Sequence, residues 1–120
     1  MEKLKRNPFE SLRIPAVRGA VASTDFEAYT IYAFGAYATF QIRTARIDND
    51  AWAFGFFLQI GDLRREMLPG EGAGWFRSKA DAMLYALGHI RYSDLPLPED
   101  MVFSIDTYIS KIRNVPLFDI

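Results

Sequence analysis

Residues 51–60 read Ala-Trp-Ala-Phe-Gly-Phe-Phe-Leu-Gln-Ile, and their alternation decides the fold. In an extended chain Trp52, Phe54, Phe56, Leu58 and Ile60 fall on one face, and Ala51, Ala53, Gly55 and Phe57 fall on the other. A period of two is a strand signal, whereas a helix would scatter these residues around its circumference. The large side chains are expected to face a core. The small ones are expected to lie against something that approaches closely.

The same signal extends upstream. Ala36–Ile47 alternates, with Ala38, Phe40 and Ile42 on one face and Tyr37, Gln41 and Arg43 on the other, and Asp48-Asn49-Asp50 closes the hairpin. Glu27–Phe34 reads as a further strand, with Tyr29, Ile31 and Ala33 opposed to Ala28, Thr30, Tyr32 and Phe34. Gly35 marks a turn or bulge, because an unbroken strand from 27 to 47 would far exceed the usual ~5–6 residues. Val17–Ala22 is predicted as a short first strand, with a turn at Ser23-Thr24-Asp25. The tripeptide Ala-Phe-Gly occurs at 33–35 and again at 53–55, which is read as shared strand vocabulary and not as duplication.

Downstream, Gly61-Asp62 has the composition of a two-residue hairpin loop with glycine first. Leu63–Leu68 would pair back, and its Arg64, Arg65 and Glu66 suit an edge strand, where charge discourages unwanted pairing. After the glycine-rich loop Pro69–Gly74 the period changes. Ser78 is a good N-cap, with Asp81 three residues on, and Met83, Ala86, Leu87 and Ile90 form a helical stripe. Asp81, Tyr85, His89 and Tyr92 are expected on the exposed side of that helix. Pro98 is placed at the first position of a second helix, whose stripe is Val102, Ile105, Ile109 and Ile112, widened by Met101 and Tyr108. Asn114 and Pro116 end it.

The expected fold is therefore α+β: a four- to five-stranded, mainly antiparallel meander with two C-terminal helices packed on one face. The chain divides into an N-terminal arm (1–16), the sheet (17–68), the glycine-rich loop (69–76), two helices (77–115) and a docked tail (116–120). At 120 residues it has the size of one domain, with 50% hydrophobic and 24% charged residues, a globular composition.

The absence of cysteine excludes a disulfide framework, a thiolate metal site and a cysteine nucleophile, and is compatible with a reducing compartment. No apolar run reaches the ~20 residues of a membrane helix, and the first residues lack the apolar stretch of a signal peptide, so a cytoplasmic protein with no membrane partner is expected. The net charge of -1 exerts no overall pull toward nucleic acid. Charge is unevenly distributed, with residues 1–18 basic and residues from 93 onward acidic, so the arm and the C-terminal part are candidates to meet.

Catalytic motifs are not apparent. His89 is the one histidine, so a triad or a histidine metal site would have to use it, and it is expected to face water. The glycine loop lacks the last glycine of a dinucleotide fingerprint, where Trp75 stands, and Arg77-Ser78-Lys79 is not the order of a P-loop. Anion contact through Gly72, Gly74, Arg77 and Lys79 at the helix start is retained as a weaker reading. A calcium loop opening at Asp48 fails, because Ala53 and Gln59 stand where glycine and glutamate are required. Neither a metal nor a cofactor is expected.

Ten of the 18 aromatic residues lie between Phe26 and Phe57, more than one helical layer is expected to cover. The favoured function is thus a non-catalytic interaction or regulatory module that works through protein contacts, with an unidentified protein partner and as a homodimer. Tyr32, Phe34, Tyr37 and Phe57 are the expected contact residues. Alternatively Leu12, Ile14 and Val17 of the arm cover that surface. The runner-up function is a single-stranded nucleic-acid-binding module, with Tyr32 and Tyr37 stacking bases and Arg43, Arg46, Arg64 and Arg65 holding phosphates. It lacks an RNP-like string and a basic surface.

Overall fold

The computed structural model describes residues 7–14, 25–48, 51–70 and 74–114. Strands β1 (Glu27–Phe34), β2 (Ala38–Asp48), β3 (Ala51–Ile60) and β4 (Leu63–Met67) form one antiparallel sheet in the order β1-β2-β3-β4. Helices α1 (Lys79–Arg91) and α2 (Glu99–Arg113) follow. This is the expected α+β meander, with four strands. The predicted strand Val17–Ala22 and the docked tail lie outside the described residues.

The hairpins follow from their turn residues. Gly61 has φ +59°, and among the described residues none other than glycine has positive φ, so the β3–β4 turn has glycine first in the manner of a II′ turn. Gly35, with φ +56°, opens the β1–β2 turn, where the Tyr37 amide donates to the Phe34 carbonyl at 3.1 Å. The register pairs Phe40 with Leu58, Ile42 with Phe56 and Thr44 with Phe54, which puts these side chains on one face. α1 lies over β2 and β3 on that face, and α2 lies over β1 and against α1. Phe40, Ile42, Phe54, Leu58, Leu87, Ile90, Met101 and Ile105 are fully buried there.

β1 departs from simple alternation. Tyr29 faces Ile42, Tyr32 faces Phe40 and Phe34 faces Ala38, with a register shift between Thr30 and Tyr32. The bulge sits here and not at Gly35, and its extra residue brings Tyr32 and Phe34 onto the same face as Tyr29. Ala33, expected beside Tyr29, moves to the opposite face with Thr39.

The small side of β3 is covered by its own chain. A Cβ on Gly55 would run into the backbone of Met67, Leu68 and Pro69, which cross it after β4. The chain then returns to the sheet. Trp52 and Phe76 exchange two backbone hydrogen bonds of 2.8 Å, and Ile14 and Trp75 exchange bonds of 2.8 and 2.9 Å. The sheet thereby continues in isolated bridges on the β4 side.

The helix ends match their sequence signals closely. Ser78 Oγ accepts from the Asp81 amide at 3.1 Å, the N-cap bond that leaves fewer orphan donors in the first turn. Pro98 is the N-cap of α2, one position earlier than expected, because its ψ of 149° is extended. The α1 stripe is wider than expected. Ala82, Leu84 and Gly88 are buried as well, and Tyr85 is half-buried against Phe54 and Phe76 instead of lying in solvent.

The extra coverage comes from the arm. Asn7 Nδ2 donates to the Tyr85 carbonyl at 2.9 Å, and Asn7 and Phe9 occupy the space that a Cβ on Gly88 would need. Leu12 packs against the core and Ile14 is held at the β4 side, so neither covers the far face of the sheet; Val17 lies outside the described residues. Arg13 pairs within the arm with Glu10 at 2.7 Å and Asp106 with Arg91 at 2.9 Å, while Arg113 of α2 lies 5.9 Å from the ring centre of Phe9 in the arm.

Met101 and Ile105 are the residues through which α2 closes the core, both with no solvent exposure. Ile105→Ala is expected to cost about 2–5 kcal/mol by chemical denaturation, the range for emptying a buried aliphatic site. A loss below 1 kcal/mol would show that α2 adds little to the fold.

Candidate interaction surface

Among the described residues no helix lies on the far face of the sheet. This face presents Thr30 of β1, Gln41 and Arg43 of β2, Phe57 and Gln59 of β3, and Arg64 and Glu66 of β4, because these residues face one another in register. The centre is a stacked ion pair. The Arg43 guanidinium lies 4.8 Å from the Phe26 ring centre and 5.8 Å from that of Phe57, and Nη1 donates to Glu66 Oε2 at 2.7 Å. The Arg64 guanidinium lies 5.1 Å from the same Phe57 ring centre, and its Nη2 lies 3.4 Å from Glu66 Oε1. The Arg43 guanidinium, foremost, holds the Glu66 carboxyl below the usual carboxylate range. This face is polar around two half-buried aromatic rings, Phe26 and Phe57, not aromatic throughout as the sequence suggested.

The expected contact residues do not share one surface. Phe57 is on the far face, while Tyr32 is half-buried on the helix face and packs against the core. Phe34 and Tyr37 lie at the end of the β1–β2 hairpin, 64% and 56% exposed, and every residue from Ala33 to Tyr37 is exposed. The four arginines divide in the same way. Arg43 and Arg64 point to the far face, and Arg46 and Arg65 lie by register on the helix face, opposite Trp52 and Leu58.

At the start of α1, Gly74 has φ +77° and is packed against Ile14 and Arg13, and Gly72 lies outside the described residues. Arg77 is exposed. Lys79 reaches across to β1, with Nζ 2.8 Å from Glu27 and donating to the Tyr29 hydroxyl at 2.9 Å, above the Tyr29 and Trp52 rings. The Glu27 carboxylate, foremost, raises the Lys79 pKa, and Lys79 lowers that of Glu27. The cation is thus committed to the sheet, away from the glycine loop.

Two further arrangements have no sequence signal of the usual kind. The Tyr85 hydroxyl donates to Glu10 Oε1 at 3.0 Å, and the His89 ring stacks on Tyr85 and lies 5.7 and 6.0 Å from the rings of Phe56 and Phe54. His89 remains exposed, as expected, yet burial against these rings lowers its pKa. The helix-interior Gly88 was the available clue, since a glycine there costs stability unless something must come close. Separately, Thr44 is fully buried and its hydroxyl has no hydrogen-bond partner among the described residues. It lines a cleft of about 290 Å³ with Glu27, Arg46 and Trp52.

Among the described residues no group of three or more His, Asp and Glu side chains is arranged to hold a metal ion. No helix among them is long and apolar enough to cross a membrane. No family model, curated protein or solved structure matches the chain.

Two measurements test these environments. A buried hydroxyl without a partner costs about 1–3 kcal/mol, so Thr44→Val is expected to raise stability by about 1 kcal/mol. Equal or lower stability would mean that the hydroxyl is satisfied in solution. For His89, the folded protein binds its proton less well than the unfolded chain does. Stability is therefore full above the ordinary histidine value of about 6.5 and declines as the pH falls through it toward the lowered folded value. His89→Gln is expected to flatten the pH dependence of Tm between about pH 7 and 5, and an unchanged slope would assign it to the carboxylates.

Proposed function

We propose that the protein is a non-catalytic interaction module that works through protein contacts and associates with a second copy of itself. The observation that carries this reading is the bare aromatic end of the first hairpin, where Phe34 and Tyr37 stand 64% and 56% exposed within five consecutive exposed residues. Large aromatic side chains contribute most where a partner desolvates them. A non-catalytic role is supported by the setting of the single histidine, which packs on the rings of Phe54, Phe56 and Tyr85. A cysteine-free chain fits a reducing, cytoplasmic setting.

A second reading has its own observation. Arg43 and Arg64 stacked beside Phe57 on an open sheet resemble a platform for single-stranded nucleic acid. It is the weaker of the two, because Glu66 already engages both guanidinium groups and the net charge is -1.

Sedimentation equilibrium from low to high micromolar concentration tests the first reading. We expect a reversible dimer that the double variant Phe34→Glu/Tyr37→Glu converts to folded monomers. A wild-type protein that is monomeric throughout overturns it. Absorbance at 260 nm in the purified protein, with salt-sensitive retention on heparin, would favour nucleic acid instead.

A further inference from the structure

The two edges of the sheet are built differently. On the β4 side the strand is five residues long and carries Arg64, Arg65 and Glu66, all exposed. Beyond it Phe76, Trp75 and Ile14 continue the pairing alongside β3. β1 has neither protection. It runs for eight residues, Glu-Ala-Tyr-Thr-Ile-Tyr-Ala-Phe, with no proline or lysine. Its one charge, Glu27, is tied to Lys79 at 2.8 Å. Among the described residues no strand pairs with its outer edge. Such an edge presents unpaired amides and carbonyls to any chain of matching register.

From these features we infer that β1 pairs antiparallel with β1 of a second copy, joining two four-stranded sheets into one across a two-fold axis. This rests on the self-association proposed above and names its surface. Three observations choose a second copy as the occupant. First, the strand is self-complementary in charge. Ala28–Phe34 is uncharged, and antiparallel pairing sends the two Glu27 side chains to opposite ends, roughly 20–25 Å apart at ~3.3 Å per residue. Second, the apolar layer under α2 is unfinished at this edge. Tyr29 and Tyr32 are half-buried and Phe34 is exposed on the face that α2 covers, so a partner strand would extend the layer over them.

Third, the segment that immediately precedes β1 is too short. Residues 17–22, turning at 23–25, would reach along β1 only to about Tyr32 and would leave Phe34 and Tyr37 bare. The bulge between Thr30 and Tyr32 interrupts a continuous ladder. The interface therefore depends on the aromatic layer as well as on main-chain bonds, and a dissociation constant in the micromolar range is expected.

The absence of cysteine permits a direct test. Single cysteines are introduced in turn at Ala28, Tyr29, Thr30, Tyr32 and Ala33, with Gln59→Cys on the far face as the comparison, and disulfide-linked dimer is measured after mild oxidation. A residue at the axis lies within the ~4.4–6.8 Å Cα separation of a disulfide, while one two positions away lies about 13 Å from its own copy. Crosslinking is expected at one position of β1 or at two neighbours, and not at residue 59.

In parallel, Thr30→Lys/Ala33→Lys is expected to weaken association at least about tenfold by placing like charges across the axis. If that variant fails to fold, the cysteine series still decides. A dimer crosslinked through residue 59 and not through β1 overturns this inference and leaves the proposed self-association standing. A protein that stays monomeric while the β1 amides resist hydrogen exchange gives the edge to residues 17–22 and overturns both.

Discussion

Every layer of this molecule is referred to β3. All ten of its residues pair with β2 along one edge, and along the other Phe56–Ile60 pair with β4 and Trp52 with Phe76. Because side chains alternate along a strand, each of its faces must be satisfied separately. Phe54, Phe56, Leu58 and Ile60 supply the floor on which α1 rests, and Ala53 and Gly55 leave the opposite face thin enough for the backbone of 67–69 to cross. A side chain at Gly55 would push that crossing away. The route from β4 to Phe76 and then into α1 would move with it.

The sequence made this strand legible because its signal is redundant: size, apolarity and period all agree over ten positions. The same is true of the two helices, whose caps and stripes reinforce each other. β1 was less legible for a physical reason. Alternation assigns faces by counting, and a bulge adds one to the count without changing composition. Tyr32 and Phe34 therefore changed sides, and with them the picture of which aromatic residues share a surface.

The repeated tripeptide Ala-Phe-Gly makes the limit plain. At 53–55 the phenylalanine is buried and the glycine lies beneath another backbone; at 33–35 the phenylalanine is exposed and the glycine turns the chain with φ +56°. Local sequence does not distinguish these fates, because what differs is the element that crosses or fails to cross above. The candidate surfaces were legible only in part for the same reason. Arg43, Arg64 and Phe57 come together through cross-strand register, and Asn7, Tyr85 and Gly88 through contacts spanning most of the chain.

The asymmetry of the edges bears on the proposed self-association. A sheet with two open edges risks uncontrolled pairing, and one with two blocked edges has no main-chain surface to offer. Here charge and the bridges of Phe76, Trp75 and Ile14 occupy one side, which limits pairing to the other and so favours a closed pair over an open chain of copies. On the remaining side the bulge shortens the run of free backbone groups, and the exposed aromatic residues concentrate at its hairpin end. Affinity at such a site comes from rings that must be desolvated, and orientation comes from strand direction. That division suits a contact that forms specifically and still comes apart.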